Sequence, residues 1–134
     1  MVLWVEDYIK FLEALRIGDV ILKKDTINMM SQDMLTPKQR DMYTYGTDCI
    51  GYGLGMRAPR NNPNHTEFGW SGAAGAYASV DPVNNMTLYY AQHVLRSPNL
   101  PLRSWIYTVV RADLVGEKID IPINKEDENP ELIY

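Results

Sequence analysis

The sequence predicts an α+β fold, an antiparallel sheet of three or more strands with flanking helices. Three features carry this expectation. Val5, Tyr8, Ile9, Leu12 and Leu15 recur at helical spacing near the start of the chain. Residues 76–80 and 86–91 alternate at strand spacing and are joined by Asp81-Pro82-Val83-Asn84-Asn85, a run of turn formers. After Pro101, the residues Leu102, Trp105, Ile106, Val109 and Val110 give a helix a wide apolar face to lay on that sheet.

The first helix is amphipathic, about three turns long, with Phe11 flanking its stripe and Gly18 at the C-cap position. Asp25 is the expected cap of a second short helix carrying Ile27, Met29 and Met30. Thr36-Pro37 opens a third, because proline is pre-organised for a first helical turn. Cys49-Ile50-Gly51-Tyr52-Gly53-Leu54-Gly55-Met56 alternates small and large residues and reads as one strand against which another backbone passes closely. Arg60-Asn61-Asn62-Pro63-Asn64 is turn chemistry, and a second strand is expected from Glu67 through Ser79. Its Ala76, Ala78 and Val80 share one face, and Tyr77 and Ser79 the other. A third strand sets Met86, Leu88 and Tyr90 against Thr87, Tyr89 and Ala91.

Length and charge bound the function. A chain of 134 residues with 46% hydrophobic residues is one domain with a core, and its apolar runs are too short to span a bilayer. Met1-Val2-Leu3-Trp4-Val5 runs straight into Glu6-Asp7, which is not the pattern of a signal peptide. The single Cys49 excludes an internal disulfide and a cysteine-rich metal site. Residues 1–116 hold eleven acidic and eleven basic side chains, while residues 117–134 hold six acids against Lys118 and Lys125 and supply the net charge of −4. A neutral body without a Lys/Arg cluster cannot neutralise phosphates, so nucleic acid is rejected as a partner. The acidic end reads as an extended or disordered tail in which Ile119, Ile121 and Ile123 could form a short edge strand.

Two stretches carry a family resemblance. Glu6-Asp7-Tyr8 with Phe11-Leu12, then residues 22–30, form the first. The second, more specific, is Phe68-Gly69-Trp70-Ser71-Gly72-Ala73-Ala74-Gly75-Ala76-Tyr77 running on to Val80-Asp81-Pro82. Together with Gly51-Tyr52-Gly53-Leu54-Gly55-Met56 they resemble the C-terminal part of β-lactamase-related serine hydrolases, a group that includes penicillin-binding proteins and esterases. Trp70-Ser71-Gly72 stands where that family has its third active-site box, Lys-Thr-Gly, His-Thr-Gly or Trp-Gly-Gly, ahead of an Asp-Pro hairpin. The resemblance covers about residues 3–112.

The resemblance implies an incomplete β-lactamase-like domain over residues 1–116, with the acidic tail beyond it. It implies that Trp70, Ser71 and Gly72 bind substrate and that the Ala73 N–H is one of two oxyanion donors. A neutral indole at 70 cannot pair with a substrate carboxylate, which leans towards esterase-like chemistry on a small acyl substrate. Catalytic residues are expected outside this chain. None of Ser31, Ser71, Ser79, Ser97 or Ser104 has a lysine three residues on, and no tyrosine has asparagine two residues on. Ser97-Pro98-Asn99 has the letters of the second box but follows the third, and reads as a helix-start turn. The expectation is therefore a chain inactive alone: part of a longer hydrolase, one half of a split enzyme, or a non-enzymatic assembly domain.

No cofactor and no metal are expected. His65 and His93 stand 28 residues apart without carboxylate spacing around either. Asn64-His65-Thr66 and Asn85-Met86-Thr87 are glycosylation sequons expected to carry nothing in a chain without a signal peptide. Surfaces that would meet absent N-terminal elements favour self-association or binding of that missing half.

Overall fold

A computed structural model describes residues 4–44, 50–61, 64–94 and 100–120, with side chains from residue 105 onward in the last stretch. Helices α1 (Val5–Ile17), α2 (Lys24–Met30) and α3 (Pro37–Met42) precede five strands: β1 (Ile50–Tyr52), β2 (Arg57–Pro59), β3 (Phe68–Ser71), β4 (Tyr77–Asp81) and β5 (Met86–Tyr90). Helix α4 (Leu100–Val115) closes the order. The strands form one antiparallel sheet in chain order, β1 to β5. The fold is thus α+β, as expected, with more strands than the sequence pattern separates.

Helices cover both faces of the sheet. On one, Leu12 and Leu15 of α1 and Ile27 of α2 pack with Phe68 and Val80. On the other, Tyr107 of α4 packs with Tyr77, Met86 and Leu88. Both faces of β4 are therefore buried, which is why its simple alternation hides two cores. Among the described residues no helix is long and apolar enough to cross a membrane.

The helix starts follow local chemistry with one correction. Thr36 accepts from the Gln39 N–H and Gln39 reaches back to the Thr36 N–H, a complete capping box ahead of Pro37. Gly18 ends α1 at φ 73°, a conformation that a side chain disfavours. Asp25 is not a cap. Helix α2 begins after Lys23, so Asp25 lies in the first turn, where its charge meets the positive end of the helix dipole.

Two expected strands divide. The glycine-rich run folds as β1, a turn through Gly55 at φ 77°, and β2. The run from Glu67 to Ser79 breaks into β3 and β4 at a turn over residues 72–76, closed by Gly72 N–H to Ala76 O at 2.7 Å. The close approach expected at the glycines is present. A Cβ on Gly53 would sit 2.0 Å from the Met30 carbonyl oxygen, and one on Gly51 would sit 2.2 Å from the Asp33 carboxyl carbon. Residues 30–34 thus strap the outer side of β1, and Met34 N–H donates to Tyr52 O at 2.9 Å.

The inward face of α4 also differs from expectation. Tyr107 and Ala112 are buried, whereas Val109 and Val110 are 36% and 39% exposed. Tyr107 turns inward because its hydroxyl finds a buried partner, donating to Asp81 Oδ2 at 2.7 Å, a bond that the valines cannot offer. The Leu102 side chain lies outside the described set, as do Cys49, Ser97-Pro98-Asn99, Ile121 and Ile123. The start of the acidic segment is held. Glu117 N–H donates to Ala112 O, and its carboxylate pairs with Arg111 at 2.7 Å.

Gly69→Ala and Gly72→Ala should differ sharply in stability. A Cβ on Gly69 would lie 2.0 Å from the Ala78 carbonyl oxygen, whereas one on Gly72 would meet Ala76 at an ordinary 3.7 Å. Urea unfolding should give a loss of about 1–3 kcal/mol or more for Gly69→Ala and under about 1 kcal/mol for Gly72→Ala.

Candidate functional site

Trp70 and Ser71 end β3 on its solvent side, and the chain then turns sharply through Gly72 and Ala73. These four residues, with Tyr43, Ile50 and Arg57, line a groove of about 410 Å³. Trp70 is 45% exposed and is not a core residue. Its indole is steadied edge-on by Tyr52 at 5.8 Å between ring centres, and Tyr52 in turn packs on Tyr43 at 5.5 Å.

The turn leaves the N–H groups of Ala73, Ala74 and Ala76 without an acceptor among the described residues. Gly72 and Gly75 N–H groups close the turn on Ala76 and Gly72 carbonyls, and Ala74 O accepts from Val94 N–H. Among the described residues, nothing accepts from the Ala73 N–H, and Ala73 is exposed on the groove. Ser71 likewise is exposed there, with no hydrogen-bond partner for its hydroxyl among the described residues. Behind Trp70 a second groove of about 290 Å³ runs under Trp4, Val5, Tyr8 and Tyr89, sharing Trp70 and Gly72 with the first.

Below the groove wall lies an ionic cluster that sequence reasoning missed. Glu67 is 1% exposed, and its Oε1 accepts from Arg57 at 2.6 Å and from the Tyr77 hydroxyl at 2.5 Å. Arg57 also donates to the Tyr77 oxygen at 2.9 Å, and its guanidinium carbon lies 5.0 Å from the centre of that ring. His65 Nε2 stands 3.3 Å from the same carboxylate oxygen without hydrogen-bond alignment. Burial raises the Glu67 pKa, but His65, Arg57 and Tyr77 outweigh it and hold the group below its ordinary 4.5. Burial and the adjacent Glu67 push the Tyr77 hydroxyl well upward, so it remains a donor. The cluster neutralises Arg57, which therefore offers the groove hydrogen-bond donors more than net charge.

The pairing of Arg57 with Glu67 rests on the β2–β3 register, which sets Arg57 opposite Gly69. Sequence gives two opposite charges ten residues apart with turn chemistry at residues 60–64 between them, but not the register that brings them together. His65, expected in a loop, has its ring 5.0 Å from that of Tyr107 and serves this packing, while His93 is exposed. Among the described residues no group of three or more His, Cys, Asp or Glu could hold a metal ion.

Chemically, the groove presents an N–H, a hydroxyl and a guanidinium beside an aromatic wall. That set can hold a carbonyl or carboxylate oxygen. It contains no activated nucleophile: among the described residues, no serine hydroxyl is hydrogen-bonded to a lysine or histidine. A scan of known family models gives no match to this chain, and a search of curated proteins likewise finds none.

Acid should unfold the protein through its buried carboxylates. Glu67 and Asp81 both have folded pKa values lowered from 4.5 and 3.8 despite burial, Asp81 through Asn84, Tyr107 and Thr66. Groups lowered in this sense contribute stability that is complete above their unfolded values and is lost as pH falls through the folded ones. Urea midpoints should therefore be flat from pH 7 down to about pH 5 and fall steeply below about pH 4. Glu67→Gln should cost about 3–5 kcal/mol at pH 7, because Arg57 stays buried without its anion, and should show a shallower acid limb.

Proposed function

We propose that this chain supplies the carbonyl-binding wall of a serine hydrolase site of the β-lactamase-related type, with the nucleophile and its base contributed by residues outside it. The observation that carries the reading is the Ala73 N–H at the turn after Trp70-Ser71-Gly72, which has no acceptor among the described residues and belongs to a residue that lines the groove. When a serine oxygen adds to an acyl carbonyl, negative charge gathers on the carbonyl oxygen. A backbone donor already aimed at that position stabilises the charge without reorganising. Ser71 would hold the neighbouring polar atom of the substrate, and Gly72 keeps the approach free of a Cβ.

Trp70 sets the substrate class. An indole at this point of the groove offers a flat apolar wall, and the nearest cation, Arg57, is already matched by Glu67. Neutral acyl groups, esters above all, suit that lining better than the carboxylates of β-lactams or peptidoglycan peptides. Ser-x-x-Lys and Tyr-x-Asn boxes are absent from the sequence, so the reaction requires a second polypeptide segment bearing them.

The test combines turnover with binding. The chain alone should hydrolyse neither nitrocefin nor p-nitrophenyl esters above a protein-free control. Titrated with phenylacetamide, a non-hydrolysed carbonyl compound, it should show saturable amide shifts at Gly72 and Ala73 and at the Trp70 indole. Trp70→Ala should weaken that binding by about tenfold, for the loss of one aromatic wall. Turnover that survives purification and vanishes on mutating a serine of this chain would overturn the missing-nucleophile reading. Shifts that leave residues 72 and 73 unmoved would overturn the carbonyl site.

A further inference from the structure

The two edges of the sheet differ in kind. The outer side of β1 is occupied: Tyr52 N–H donates to Asp33 Oδ1, and Tyr52 O accepts from Met34 N–H. Among the described residues the outer side of β5 is bare. Its paired residues run to β4, and among the described residues no backbone group of 86–90 bonds to anything else. Nor does β5 carry the usual protection of an edge. Met86-Thr87-Leu88-Tyr89-Tyr90 holds no charge and no proline and is rich in strand formers.

We propose that β5 pairs antiparallel with β5 of a second copy of this chain, joining two five-stranded sheets across a two-fold axis. The strand is self-complementary about Leu88. Pairing centred there sets Leu88 against its copy, Thr87 against Tyr89 and Met86 against Tyr90, so like faces meet and no charges oppose. The helix above completes the fit. Helix α1 packs on both β4 and β5 and runs antiparallel to β5, with Tyr8 over Tyr89, Glu13 on Thr87 and Arg16 on Asn85.

A helix over the β4–β5 boundary lies about one strand spacing from the new axis. The two copies of α1 then come to about 10 Å apart, the ordinary distance for packed helices. Ile9 and Ile17, one turn to either side of Glu13 along that helix, are 42% and 54% exposed in the single copy. Glu13 itself is already matched by Arg16 at 2.7 Å, so the approach brings no unpaired anions together. A second copy thus covers the strand edge and the helix flank at once. The pairing does not depend on the chemistry of the groove, which lies at the far end of β3.

Sedimentation equilibrium from low micromolar to about 100 µM tests this by mass action. The expected result is a monomer–dimer equilibrium, with hydrogen exchange at residues 87 and 89, whose N–H groups point away from β4, slowing as the dimer fills. Ile9→Lys/Tyr90→Lys changes two side chains that are exposed in the single copy, so it should fold normally while weakening the dimer by about tenfold or more. Val110→Lys on α4 should leave it unchanged. A monomer throughout the range, a dimer indifferent to the double variant, or β5 exchange indifferent to concentration would each overturn the pairing.

Discussion

The carboxylate of Asp81 is the point on which the rest of the structure depends. It ends β4 and accepts from the N–H groups of Val83 and Asn84, from the Asn84 amide, from the Thr66 hydroxyl and from the Tyr107 hydroxyl. One buried group therefore fixes the hairpin into β5, the approach to β3 and the seat of α4. Such a concentration of acceptors is stable only because every donor is supplied; a carboxylate this buried with one donor missing would be a liability. The same ring that serves Asp81 also packs on Met86 and Leu88, which couples the polar anchor to the second core. Its hydroxyl is pushed up to about 12, by burial first and by Asp81 beside it, so it stays a donor across the ordinary pH range.

Glu67 plays the corresponding part under the groove. It stands one residue before β3 and fixes Arg57 of β2, and through Tyr77 it reaches the first residue of β4. Strands β2, β3 and β4 are thus tied beside the groove by a single oxygen atom. Trp70 and Ser71 can therefore face solvent without the strand end fraying, because the restraint comes from the buried side. An exposed lip over a rigid base is the arrangement that a preorganised donor such as the Ala73 N–H requires.

Much of this frame was legible in the sequence, and what was not has a physical reason. Helix α1, the Thr36-Pro37 start and the Asp81–Asn85 hairpin are local patterns, set by spacing and capping, and they fold as read. Strand division was not legible, because Gly55 and Gly75 make turns inside runs whose flanks keep strand spacing. The rotation of α4 was missed because hydropathy ranks valine above tyrosine and cannot see the Asp81 that receives the hydroxyl. At the groove, residues 70–73 stood out only through the family resemblance of that stretch. Arg57, Glu67 and Tyr43 join them only through register and packing, which a one-dimensional pattern does not carry.

The strap over β1 has a further consequence, for what kind of aggregate this protein can form. A sheet with two bare edges can add copies without limit, and the product is a fibre. Here Gly51 and Gly53 let residues 30–34 lie close against β1, where Asp33 and Met34 take up the outward N–H and carbonyl of Tyr52 that another strand would need. Growth can proceed from one side alone, and a two-fold contact there consumes the growing end. The strap thus acts as a terminator: it converts a potential polymer into an object of finite size.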